Sequence, residues 1–181
     1  MKEEKVIVSK DKFNIIVERL SHQLIENHGN FEDAILIGIQ PRGVHLCNRI
    51  FKKLSSNKFK DIKVGSLDIT FYRDDFRRRQ EPIVAQRIDI DFPIEGKNVI
   101  LIDDVLYTGR SVRAAMDALL AFGRPKSVEL MVFVDRRLSR HLPILPNYVG
   151  KKVDTISSEK VVVEWEEVNK KDQVILLNSE Q

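Results

Sequence analysis

Asp103 and Asp104 stand side by side at the end of the apolar run Val99-Ile100-Leu101-Ile102, and Thr108, Gly109, Arg110 and Ser111 come a short way on. A carboxylate only accepts hydrogen bonds, so two in succession can each take a hydrogen from one hydroxyl of a vicinal diol. A bend of small residues that opens a helix offers backbone N–H groups and the positive end of the helix dipole, the setting in which a phosphate binds. At the carboxyl end of a parallel strand, where open α/β sheets take their ligands, the combination describes a clamp for a phosphorylated sugar. Taken singly, Asp-Asp at a strand end is more often a solvated turn, and Thr-Gly before a helix only a cap. Their succession between a buried strand and an amphipathic helix reverses that reading. Two other phosphate-binding schemes are missing, because the chain has neither a G-x-G-x-x-G after its first strand nor a P-loop pattern.

The elements around this segment alternate. Ser9 can cap a helix whose apolar positions Phe13, Ile16, Val17, Leu20, Leu24 and Ile25 recur at helical spacing, with Gly29 as its stop. Ala34 to Ile39 is an uninterrupted apolar run, the mark of a strand covered on both faces. Gln40-Pro41-Arg42-Gly43 breaks it, and a helix through Val44, Leu46, Cys47, Ile50 and Leu54 comes next. Val64 to Tyr72 alternates and predicts a strand with one exposed face. Arg73 to Gln86 has no apolar period, carries Arg77-Arg78-Arg79 and predicts a mobile loop. Asn98 to Ile102 is a second buried strand, Ser111 opens a helix through Leu120 that Gly123 and Pro125 close, and Val128 to Val134 is a third buried strand. Lys160 to Trp165 and Val174 to Leu177 predict short strands in a cap over one end of the sheet. The expectation is an α/β fold with a mainly parallel central sheet flanked by helices. Residues 1–181 should form a single domain, with a small hood at the termini drawn mainly from residues 150–181.

The chain has 181 residues, 43% apolar and 31% charged, which is ordinary for a globular protein. No run approaches the ~20 apolar residues of a membrane helix, and the N-terminal Met1-Lys2-Glu3-Glu4-Lys5 lacks a secretory core. The single cysteine, Cys47, sits in a helical apolar pattern and is read as packing; a chain without disulfides fits the cytoplasm. A net charge of +3 suits an anionic small molecule or a modest nucleic-acid contact and demands neither.

The stretch Val99 to Val112 resembles the 5-phosphoribosyl-1-pyrophosphate (PRPP) motif of type I phosphoribosyltransferases. Asp68-Ile69-Thr70-Phe71-Tyr72-Arg73-Asp74-Asp75, Asp104-Val105-Leu106-Tyr107-Thr108-Gly109-Arg110, Ala115-Met116-Asp117-Ala118-Leu119, Tyr148-Val149-Gly150-Lys151 and Ser158-Glu159-Lys160-Val161 narrow the likeness. From Val6 to Leu177 the chain is similar to the PyrR family, pyrimidine operon regulators that double as uracil phosphoribosyltransferases. The resemblance implies that Asp103 and Asp104 hold the ribose hydroxyls. It gives the 5-phosphate to Thr108, Gly109, Arg110 and Ser111, with Val105, Leu106 and Tyr107 lining the same loop. Pro41, Arg42 and Gly43 match the pyrophosphate loop, Arg42 facing the departing anion. Tyr72 to Gln86 matches the loop that closes over the site, and Arg73 joins Arg42, Asp103 and Asp104 as the expected catalytic set. Ile156 and Val161 correspond to the hood that reads the base. Mg²⁺ is implied with PRPP, with no metal site from the protein alone. The substrates and products would be PRPP, uracil, UMP and pyrophosphate. A 6-oxopurine transferase would carry an aspartate where this chain has Tyr107, which favours a pyrimidine.

The resemblance also implies a homodimer or higher homo-oligomer whose basic face binds a messenger leader RNA, with uridine nucleotides tuning affinity. Arg19, His22, Arg137, Arg140 and Lys152 are the candidates, with Arg136, His141 and Lys151 beside them. Singly, each is more often a solvated surface charge. Family members read Asp-Arg-Gly before a short Arg-Glu-Leu-Pro; this chain has the longer Asp135-Arg136-Arg137-Leu138-Ser139-Arg140-His141-Leu142-Pro143, a departure that bears on RNA recognition rather than on the transferase motif. Two alternatives to the bifunctional enzyme stand: chiefly an RNA-binding regulator with weak or no turnover, or a sensor that binds PRPP without product.

Overall fold

Ala34 to Ile39 is buried at every position, as a strand covered on both faces must be. In the computed structural model, which describes residues 4–74, 85–156 and 158–178, this strand (β2) lies inside a parallel sheet. The elements in chain order are β1 (Glu4–Val8), α1 (Lys10–His28), β2 (Ala34–Ile39), α2 (Gly43–Ser56), β3 (Lys63–Leu67), β4 (Asn98–Leu106), α3 (Arg110–Leu119), β5 (Ser127–Arg136), β6 (Tyr148–Val153), β7 (Glu159–Glu164), the short α4 (Glu166–Asn169) and β8 (Gln173–Asn178). The sheet runs β3-β2-β4-β5-β6, with all neighbours parallel.

Strand periodicity divides the core. Leu36, Ile100, Ile102, Met131 and Phe133 face α1, α2 and the hood, while Ile35, Ile37, Val99, Leu101 and Val132 face α3. Cys47 packs in the first of these layers at 1% exposure, and burial pushes its thiol up to about 12. α1 ends where expected: Gly29 takes a left-handed φ of 57° and its N–H bonds Ile25 O at 2.9 Å.

The hood is an antiparallel sheet of order β1-β8-β7, so it draws on both termini. Two side chains anchor it. Trp165, 1% exposed, packs edge-on against Phe13 at 5.1 Å and near Phe133 at 5.7 Å. Arg49 of α2 reaches Glu167 at 2.9 and 2.7 Å and Asp172 at 2.9 and 2.8 Å, its guanidinium 5.2 Å over Trp165.

Three boundaries differ from those expected of the sequence. The strand expected over Val64 to Tyr72 stops at Leu67, and Thr70–Tyr72 form a 3-10 turn. The cause is Asp68, whose carboxylate takes the Thr70 N–H at 2.9 Å and competes with the ladder. β4 continues past Ile102 through both aspartates to Leu106, because β5 pairs alongside as far as Asp135. Tyr148–Val153 is an edge strand of the central sheet, so the hood's C-terminal part begins after it. Most of the loop expected over Arg73 to Gln86, residues 75–84, lies outside the described residues. No described helix is long and apolar enough to cross a membrane.

Candidate active site at the carboxyl end of the sheet

β2 and β4 are neighbours, with Gly38 opposite Ile102, so the segments that leave these two strands meet at one end of the sheet. After β2 come Gln40, Pro41 and Arg42, and α2 begins at Gly43. Gly43 is required by close approach: a Cβ there would lie 2.9 Å from Asp103 Cα, against backbone that cannot move aside. α2 therefore starts directly against the aspartates.

Asp103 and Asp104 are each 8% exposed. Asp103 Oδ1 accepts the Asp104 N–H at 2.8 Å, and Asp104 Oδ1 accepts the Val105 N–H at 2.7 Å. Arg42 Nε donates to Asp104 Oδ2 at 2.7 Å, and Arg42 Nη2 also donates to Val163 O in the hood. Burial holds the Asp103 carboxyl well above the usual carboxylate range, and the neighbouring Asp104 charge adds to this. Burial raises Asp104 as well, while Arg42 pulls it part of the way back.

The chain then bends. Gly109 takes a φ of 92°, left-handed and suited to glycine, and α3 begins at Arg110. The first-turn N–H groups of α3 have no intrahelical acceptor and face the bend. Thr108 O is tied down by the N–H groups of His141 and Leu142 at 3.0 and 3.2 Å. Arg73 Nη1 donates to Ser111 Oγ at 3.0 Å, and Arg110 pairs with Asp74. The expected clamp is thus gathered: Arg42, Asp103, Asp104, the Thr108–Ser111 bend and Arg73 share one end of the sheet.

Tyr107 is 41% exposed beside them, its ring under the Arg136 guanidinium at 4.1 Å. Arg136 is 5% exposed and bonds Thr155 Oγ1 and Glu159 O, each at 2.9 Å. Of the two residues expected to read the base, Ile156 is open at 65% exposure, whereas Val161 is buried at 6% in the hood's packing.

The residues expected to contact nucleic acid divide. Arg136 is turned inward, and Arg140 is committed to Asp135 and to Tyr107 O. Arg137 pairs with Asp154 at 2.8 Å. Arg19 bonds Val149 O and Gly150 O at 3.1 and 2.6 Å, which joins α1 to β6. His22, Lys151 and Lys152 lie along that same pair of elements, with Lys151 and Lys152 exposed. Sequence reasoning misses the structural work of Arg136, Asp68 and Asp74; for Asp68 the signal is the Asp-x-Thr spacing of a side-chain turn.

Among the described residues no group of three or more His, Cys, Asp or Glu could hold a metal ion. The donors at the site are the two hard carboxylates, already partly used by Arg42 and by backbone N–H groups. That set fits a Mg²⁺ that takes most of its oxygens from a bound polyphosphate and fits poorly a metal held by protein alone.

A family model described as phosphoribosyl transferase domain matches residues 5–168. A hypoxanthine-guanine phosphoribosyltransferase from Bacillus anthracis superposes with a TM-score of 0.71 at 18% identity over 95% of this chain and 96% of that one, which establishes the shared type I phosphoribosyltransferase fold. "Bifunctional protein PyrR" of Haemophilus ducreyi is 44% identical over 97% of this chain and 98% of its own. The protein of the same name from Enterococcus faecalis is 42% identical over 96% of both. The chain belongs to the bifunctional PyrR family of phosphoribosyltransferases.

Proposed function

We propose that the protein transfers ribose 5-phosphate from PRPP to uracil, forming UMP and pyrophosphate, and that it also binds RNA as a regulator. The reading rests on the convergence of Asp103, Asp104, Arg42 and the Thr108–Ser111 bend at one end of the sheet. In it, the two carboxylates accept from the ribose hydroxyls, and the amides and hydroxyls of the bend hold the 5-phosphate. Arg42 faces the pyrophosphate, and Arg73, already on Ser111, lies at the phosphate side. The bond from the anomeric carbon to the pyrophosphate oxygen breaks, a bond to the uracil ring nitrogen forms, and the ring proton is released. The protein's part is to fix the two reactants, to counter the charge that develops on pyrophosphate and to keep water away. When bound with PRPP, Mg²⁺ would neutralise part of that charge, and Asp103 and Asp104 are the carboxylates that would help hold it.

Uracil as acceptor is supported by Tyr107, which stands where a 6-oxopurine enzyme of this class would carry an aspartate. Its ring is covered by Arg136, which is tied to the hood. The test is product formation: purified protein with PRPP, Mg²⁺ and uracil should yield UMP, and hypoxanthine or guanine in place of uracil should not yield a nucleotide. PRPP binding without UMP would leave a sensor rather than an enzyme.

The RNA reading is supported by His22, Lys151 and Lys152 along α1 and β6, which Arg19 joins. A homodimer would present this face twice and double its phosphate contacts. A cytoplasmic location agrees with such a partner and with the buried, unpaired Cys47.

A further inference from the structure

Asp68 opens the stretch Asp68-Ile69-Thr70-Phe71-Tyr72-Arg73-Asp74, and among the described residues its hydrogen bonds go to Thr70 and Gln86 rather than to the clamp. It is 6% exposed, and both its oxygens are used. Oδ1 accepts the Thr70 N–H at 2.9 Å and the Thr70 hydroxyl. Oδ2 accepts the N–H of Gln86 at 2.8 Å. One carboxylate therefore joins the arm that leaves β3 to the arm that returns.

Each arm ends on a different half of the site. The leaving arm carries Arg73 to Ser111 Oγ at 3.0 Å and Asp74 to Arg110, both on the phosphate bend. The returning arm lies antiparallel to β3, where Ser66 and Asp89 exchange backbone bonds of 2.9 and 3.0 Å. Beside that exchange, Arg87 O accepts Gln40 Nε2 at 2.9 Å, and Gln40 immediately precedes Pro41 and Arg42. Asp68 thus stands between the bend that would hold the 5-phosphate and the turn that would face the pyrophosphate.

We propose that Asp68 is a positioning residue for PRPP: by clasping the two arms it holds both halves of the donor site in register. The inference rests on the PRPP reading above and deepens it. The chemistry requires a carboxylate. Among the described residues the three groups that converge on Asp68 are all donors, so an acceptor-only side chain satisfies every one of them. An asparagine whose Oδ1 keeps Thr70 turns its Nδ2 toward the Gln86 N–H, so two donors meet and one arm is released.

The test compares KM for PRPP, KM for uracil, kcat and thermal melting in wild type, Asp68→Asn, Thr70→Val and Gln86→Pro. Asp68→Asn should raise KM for PRPP by about 10-fold, with KM for uracil and kcat within about twofold of wild type. Gln86→Pro removes the donor from the other side and should give the same split, and the double variant should be no worse than either single one. If Asp68→Asn does not fold, as its melt will show, Gln86→Pro and Thr70→Val carry the comparison. An unchanged KM for PRPP in the folded variants overturns the inference. So does a fall in kcat at constant KM, which would place Asp68 at the reacting atoms. A wild-type protein that neither binds PRPP nor makes UMP removes the PRPP reading itself and this inference with it, an outcome distinct from an active wild type matched by its variants.

Discussion

A carboxylate at 8% exposure has lost most of its hydration, and Asp103 makes no ion pair among the described residues, whereas Asp104 has Arg42 at 2.7 Å. Because the folded Asp103 carboxyl sits above its ordinary value, the native chain keeps a proton that the unfolded chain has released. In that window stability falls as pH rises. Asn at this position keeps an oxygen for the Asp104 N–H and carries no charge to desolvate. Asp103→Asn should therefore melt about 3 °C higher than wild type at pH 8, with the gap closing toward pH 4, while its use of PRPP falls. Melting curves at the two pH values check the sign; a variant less stable at pH 8 would contradict the assigned shift. At Asp104 the loss should be chiefly catalytic: Asp104→Asn should lower kcat/KM for PRPP by about 100-fold or more, with the far-UV circular dichroism unchanged. Unchanged turnover there would remove Asp104 from the clamp.

Among the elements, the hood is tied to α2 by one long side chain, Arg49. Arg49 is held by Glu167 and by Asp172, whose side chain is 4% exposed, and its own charge lies over Trp165. Arg49→Ala would leave Asp172 buried without its cation and should cost about 3 kcal/mol, read as a shift in the denaturant midpoint. The double variant Arg49→Met with Asp172→Asn, which removes both charges and keeps the volume, should recover much of that loss. The elements most legible in the sequence are those whose signal is local. The unbroken apolar run of β2 and the spaced apolar face of α1 need no partner to be read. β1 and β6 escape such reading because what makes them strands is elsewhere: Glu4 to Val8 pairs with β8, from the far end of the chain, and Tyr148 to Val153 pairs with β5. The clamp is legible because it is local too, Asp103 to Ser111 being a single segment. Arg136 is not, because an arginine's burial is decided by Tyr107, Thr155 and Glu159, none of which adjoin it in sequence.

Over the whole molecule, the proposed transferase site at the carboxyl end of the sheet and the proposed RNA face along α1 and β6 are built from different elements, so the two proposed activities should separate. RNA binding through cations such as Lys151 and Lys152 should weaken steeply with salt, and replacing both lysines with alanine should reduce the slope of log K against log salt by about 1 to 2. UMP formation should be unaffected by that change; a parallel loss of both would argue against separate faces. The reach of β4 bears on the entire ligand. Asp103 and Asp104 still belong to the strand, with Asp103 in register with Val132 and Val105 with Val134. Consecutive strand residues point to opposite sides. Asp104 thus looks toward α2 and Arg42, and Asp103 toward the side of α3. A sugar held by both must sit astride the rim of the sheet, with its phosphate on one flank and its pyrophosphate on the other. Adding or deleting one residue within β4 would interchange the two flanks, so the count of residues up to Asp103 is as tightly constrained as the acids themselves.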